Sequence, residues 1–92
     1  MANLFISYDL NSPGQDYTAI IEEIKSLGSW AKVQKSLWYV QSTLTATQVK
    51  DRLIPHIDTN DSLIVIDASN NVATWYGLSD EVSEHIKTQW TI

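Results

Sequence analysis

The sequence predicts an α+β fold of the ferredoxin-like type, an antiparallel βαββαβ sheet with an appended short strand and C-terminal helix, in one domain over residues 1–92. Two observations carry this. Short runs of β-branched and aromatic residues, Leu4-Phe5-Ile6-Ser7-Tyr8-Asp9, Leu37-Trp38-Tyr39-Val40 and Leu63-Ile64-Val65-Ile66, are strand material. Between them lie stretches whose apolar residues recur at helical spacing. In this plan the strands stand in the spatial order 4-1-3-2, which puts the first strand at the centre.

That first strand stops on a carboxylate. Alternation sends Leu4, Ile6 and Tyr8 to one face and Phe5, Ser7 and Asp9 to the other, leaving Asp9 where the sheet meets its loops. Asn11 to Gln15 reads as a loop, and Asp16 as the N-cap of a helix running to Leu27 with Tyr17, Ile20, Ile21, Ile24 and Leu27 as its stripe. Gly28 closes it. Ser29 to Val33 and Ser36 to Ser42 read as strands joined by a tight turn near Gln34-Lys35. Thr45 with Gln48 fits a capping box and Leu44 with Val49 a hydrophobic staple, so a second helix starts here and runs to about His56, with Pro55 as terminator. Its core stripe is Val49, Leu53 and Ile57. After the Asp58 to Asp61 turn, Ser62 to Ala68 is the fourth strand. Asn70-Asn71 reads as a hairpin-type turn and Val72 to Tyr76 as a fifth strand broken by Gly77. Ser79 then caps a helix in which Leu78, Val82, Ile86 and Trp90 share a face.

Composition narrows the function classes. The chain has 92 residues, enough for one modest core, so association with a second copy is a natural route to stability. Zero cysteines exclude disulfides and thiolate chemistry, and no apolar run approaches the roughly 18 residues of a membrane span. A cytoplasmic protein is expected. The net charge of -5 argues against a protein devoted to gripping phosphates. Its distribution is uneven: residues 1–57 carry five acids and five bases, whereas residues 58–92 carry six acids against Lys87. A neutral body therefore carries an acidic end.

The topology gathers Asp9, the start of the first helix, the Gln34-Lys35-Ser36 turn and the Asp58 to Asp61 turn at one end of the sheet. Asp67 ends a strand running the other way and belongs at the opposite end. Tyr8-Asp9 closing the first strand, Gly28 after the helix, and then Lys32-Val33-Gln34-Lys35-Ser36-Leu37-Trp38 resemble the CRISPR-associated adaptation proteins known as Cas two and the related virulence-associated protein D toxins. The likeness runs over roughly residues 3–68, through Thr45, the second helix and Asp61-Ser62-Leu63-Ile64. The chain departs from the family pattern at Lys32, Leu37-Trp38 and Tyr39, and in lacking an arginine after Asp9. The resemblance implies a ferredoxin-like homodimer in which Asp9 of both copies holds a divalent metal. Some relatives are metal-dependent nucleases and others structural DNA-binding partners.

Asp9 is accordingly the candidate catalytic residue and metal ligand, because Mg²⁺ or Mn²⁺ needs few protein carboxylates and completes its shell with water and phosphate oxygens. A turn-capping aspartate is the plainer reading of the same residue. Ser36 is a second candidate catalytic residue, and Lys35 and Ser7 are candidate substrate-binding groups that would bond a phosphate or support Asp9; hairpin-turn chemistry is the plainer reading of Lys35. His56 and His85 lack metal-ligand spacing and read as surface or helix-end residues. Trp30, Trp38, Trp75 and Trp90, with Tyr39 and Tyr76, are a set that stacks on bases in single-strand binders, yet so few bases accompany them that core and interface packing is the better account. Two functions follow: a metal-dependent endonuclease that binds RNA or DNA weakly and acts on it through paired Asp9 residues, or a non-catalytic dimeric module of the same fold that binds a protein partner. Residues 69–92, the appended strand and helix, read as dimer-forming material.

Overall fold

Leu4 and Ile6 are completely buried at the centre of β1 (Ala2–Asp9), which is flanked on both sides by antiparallel neighbours. The computed structural model describes residues 1–10, 17–69, 71 and 73–90. They form α1 (Thr18–Ser26), β2 (Ser29–Gln34), β3 (Leu37–Ser42), α2 (Ala46–Leu53) continued by a 3₁₀ turn (Ile54–His56), β4 (Ser62–Asp67) and α3 (Asp80–Gln89). The sheet order is β2-β3-β1-β4 with every pairing antiparallel, the ferredoxin-like arrangement expected from the order of elements. No helix among the described residues is long and apolar enough to cross a membrane.

The core lies between one face of the sheet and the first two helices. Leu4, Ile6, Trp38 and Val40 meet Ile20, Ile24 and Leu27 of the α1 region and Val49 and Leu53 of α2. Helix α2 starts where Thr45 Oγ1 accepts from Gln48 N and Gln48 Oε1 accepts from Thr45 N, the full capping box. Pro55 falls in the 3₁₀ turn that ends this helix, where its missing N–H is tolerated. Asp16, the expected cap of α1, lies outside the described residues, as do residues 11–15; Tyr17 occupies the N-cap position and makes no side-chain cap bond. Gly28 ends α1 for a reason of space, since a Cβ there would run into the Gln41 carbonyl across β3.

The second face of the sheet is half covered. Helix α3 lies over β2, β3 and Phe5: Trp90 stacks on Tyr39 at 5.9 Å, its ring is 6.1 Å from Phe5, and His85 sets its ring edge-on to Tyr39. Ile86 is buried by this docking. Ile86 and Trp90 of the expected stripe thus lie on the chain's own sheet. Beneath it, Tyr39 Oη donates to Asn3 Oδ1 at 3.0 Å in a fully buried pair, and burial pushes the phenol up to about 12.

The expected fifth strand does not form among the described residues 71 and 73–76; Asn70 and Val72 lie outside them. A strand needs a partner edge, and this segment is drawn elsewhere. Ala73 to Tyr76 and Leu78 border a cavity with Phe5, Val33, Leu37 and Ile86, and Trp75 Nε1 donates to Ser83 Oγ at 3.0 Å. The segment therefore packs over the sheet and against α3. Gly77 carries a positive φ of 81° at the bend into that helix.

Candidate functional site

The antiparallel register decides what surrounds Asp9. Asp9 stands opposite Ser62 of β4, Ser7 stands between Leu37 and Ile64, and Tyr8 N donates to the Ser36 carbonyl at 3.1 Å. The last bond pins the β2–β3 hairpin turn against the end of β1. Together these residues line a shallow cavity of about 440 Å³ bordered by Ser7, Tyr8, Asp9, Ser36, Ser62, Leu63 and Ile64. Three of the four residues singled out in the sequence, Ser7, Asp9 and Ser36, thus share one cavity. Lys35 does not line it; it is exposed beside Ser36 in the turn.

Asp9 is exposed at the rim, and among the described residues its carboxylate meets no hydrogen-bond or ion-pair partner. The loop it was expected to cap lies outside the described residues. Asp61 sits one residue before the Ser62 that pairs with Asp9, where its Oδ2 accepts from Asp58 N at 2.8 Å and its Oδ1 from Tyr17 Oη at 3.4 Å. This ties the β4 entry to the α1 entry. The end of the sheet so built carries Asp9, Asp58 and Asp61 with Lys35 as the neighbouring base, a distribution that favours cations over phosphates.

The donors in the cavity are all hard oxygens, one carboxylate and the hydroxyls of Ser7, Ser36 and Ser62, which suits Mg²⁺ or Mn²⁺ in kind. In number the described residues fall short, because Asp9 is the one carboxylate among those that line the cavity. No group of three or more histidine, aspartate or glutamate side chains that could hold a metal occurs among the described residues. The described residues alone do not complete a divalent-cation site and would need further ligands to do so.

Asp67 lies at the opposite end of the sheet, opposite Leu4. The Ser69 hydroxyl and the Ser69 N–H beside Asp67 hold its carboxyl below the usual carboxylate range, as befits a residue that closes a turn. His56 Nε2 lies 3.4 Å from Glu23 Oε1, and His85 Nε2 lies 3.3 Å from Ser29 Oγ under α3. Neither faces the Asp9 cavity. Trp38 is a core residue whose Nε1 donates to Tyr8 Oη at 3.0 Å, while Trp75 and Trp90 are half-buried against α3 and the sheet. Trp30 and Tyr76 lie outside the core, being 39% and 99% exposed.

Sequence reasoning missed Ser62, Leu63 and Ile64 as neighbours of Asp9. The signal was present in the 4-1-3-2 order, since a fourth strand antiparallel to the first must bring its opening residues beside the first strand's last. Chemically the arrangement offers an exposed carboxylate, three hydroxyls and an adjoining apolar strand surface at Ile64 and Ile66, which are 56% and 50% exposed. The sequence matches no family model and no curated protein.

Proposed function

We propose that the chain is a homodimeric, divalent-metal-dependent endonuclease of the cytoplasm, acting on RNA or DNA through Asp9 contributed by both copies. The single observation that carries this reading is the cavity that brings Asp9, Ser7 and Ser36 together beside the uncovered Ile64 and Ile66 of β4. Those isoleucines are the apolar surface on which a second copy would sit, and their nearness to Asp9 would let two carboxylates share one cation. Resemblance of Tyr8-Asp9 and the Lys32 to Trp38 hairpin to the Cas two and virulence-associated protein D families supports the same reading. Bound Mg²⁺ or Mn²⁺ would neutralise charge on the attacked phosphate. Ser36 and Ser7 would donate hydrogen bonds to a phosphate oxygen at the cavity wall, and Lys35 would lend a positive charge from the rim. The absence of cysteine accords with a cytoplasmic setting.

The test is cleavage of labelled single- and double-stranded RNA and DNA with Mg²⁺ or Mn²⁺, beside Asp9→Asn. Two unpaired carboxylates brought together repel, and a cation relieves the repulsion, so metal should raise the melting temperature of the wild type and leave that of Asp9→Asn unchanged. Asp9→Asn should lose cleavage while keeping its metal-free stability. A wild type indifferent to metal in both assays would rule the reading out.

A second reading, a non-catalytic dimeric module that binds a protein partner, is favoured by the acidic excess of residues 58–92, which repels a nucleic-acid backbone. A dimer without nuclease activity would support it.

A further inference from the structure

We infer that the groove between the outer edge of β2 and helix α3 is a docking site for an extended peptide segment of a partner protein, which joins the sheet as an additional strand. The inference is independent of the Asp9 site, which lies on the opposite edge half of the sheet between β1 and β4.

β2 pairs with β3 on one side, and among the described residues nothing pairs with its other side, so that edge presents free backbone N–H and C=O groups. The register breaks between Lys32 and Gln34, which confines the regular edge to Ser29–Lys32. Helix α3 runs alongside and supplies a wall. Glu81 and His85, one turn apart, and Val82 between them face Trp30, Ala31 and Lys32 across a groove of about 400 Å³. The remaining face of α3 is already seated on the sheet through Ile86 and Trp90, so the wall is anchored. An edge strand beside a fixed helix is the geometry in which main-chain hydrogen bonds supply affinity and the alternating side chains supply selectivity.

The two sides of the groove differ in charge. Ala31 turns under α3, where Val82 offers an apolar contact and Glu81 a negative charge. Trp30 and Lys32 turn to the other side, where Lys25 Nζ sits 4.8 Å over the Trp30 ring and Lys32 Nζ 5.7 Å from the Trp38 ring. An incoming strand therefore meets an anion and an apolar patch with one set of alternating side chains, and two cations over aromatic faces with the other. The matching ligand alternates bases with acids and carries a small apolar residue at its centre. A second copy of this chain is a poor occupant, because antiparallel β2–β2 pairing keeps each face on its own side and would set Lys25 and Lys32 against their copies and Glu81 against its own.

The capped peptide Thr-Lys-Glu-Val-Glu-Lys-Thr, which presents this pattern in either chain direction, tests the inference when titrated into the full chain and followed by backbone amide shifts and hydrogen exchange. Shifts confined to residues 29–32 and 81–85, with new protection of β2 amides, are expected. Methylating alternate backbone nitrogens of the peptide should abolish binding. Glu81→Lys and Lys32→Glu, both at exposed positions, should each weaken it about fivefold. No shifts in these residues, or equal binding of the methylated peptide, would overturn the inference. So would concentration-dependent protection of β2 amides in the free protein, which would assign the edge to a second copy.

Discussion

Glu23 holds α1 to α2 through a single carboxylate. Its Oε2 accepts from Arg52 Nη2 at 2.7 Å and from Ser26 Oγ at 3.0 Å, while Oε1 lies 3.4 Å from His56 Nε2. The Ser26 hydroxyl, and then Arg52 and His56, keep the Glu23 carboxyl below its usual range. A depressed carboxylate contributes stability that is present above its unfolded pKa and is lost as pH falls through its folded pKa. Glu23→Gln should therefore lower stability by about 1 kcal/mol at neutral pH and flatten the acid limb of the stability curve, as measured by urea unfolding across pH. Tyr39 acts at the other end of the scale. Its phenol is raised from 10.0 to about 12 by burial, so its contribution is complete below pH 10 and falls away as pH rises toward 12. Tyr39→Phe removes the bond to Asn3 and should cost about 1 kcal/mol while shrinking that alkaline loss, which the same unfolding series would detect. At this scale the sequence spoke unevenly. Asp9 was legible as the carboxylate at a strand end, because alternation and strand order place it without any contact being known. The Glu23 cluster was not, since three of its members come from separate turns of helix whose relative rotation only packing decides.

Helix α2 was readable because its start is encoded locally: Thr45 and Gln48 satisfy each other's backbone N–H groups with no help from the rest of the chain. Thr45→Ala should cost about 1 kcal/mol, read from denaturant midpoints. Helix α3 was readable as a helix, with Ser79 Oγ accepting from Val82 N, but its place was not. An amphipathic stripe states that a face is buried and leaves open whether it meets a neighbour or its own sheet. Here Trp90 meets Phe5 and Tyr39 of its own chain. Trp90→Ala should accordingly destabilise the protein by about 2 kcal/mol and speed exchange at α3 amides before those of β1, as native-state hydrogen exchange would show. Residues 73–76 teach the complementary point. Thr74, Trp75 and Tyr76 favour strands by composition, yet propensity expresses itself only beside a free edge, and Trp75 instead finds Ser83.

The molecule as a whole has one face of its sheet filled by two helices, the other half filled by α3, and a remaining strip over β4. The strip exposes Ile64 and Ile66 on an edge strand whose opposite side chains, Leu63 and Val65, already pack on the core. An edge strand apolar on both faces is an association site unless something covers it, and carboxylates stand at its two ends, Asp61 just before it and Asp67 as its last residue. Docking of α3 on its own sheet buries Ile86 and half-buries Trp90, so the proposed dimer is placed on this strip. Ile64→Glu places a charge in its middle without touching the core, because Ile64 is more than half exposed in the single chain. The variant should keep the wild-type helix and sheet signature, sediment as a monomer at concentrations on the order of tens of micromolar, and lose any metal-dependent cleavage, since each copy would hold one Asp9. Asp9→Asn should lose cleavage yet remain a dimer. The pair therefore separates assembly from chemistry. A wild type that sediments as a monomer at that concentration would remove the basis for paired carboxylates, and an Ile64→Glu monomer that still cuts nucleic acid would assign the chemistry to a single chain.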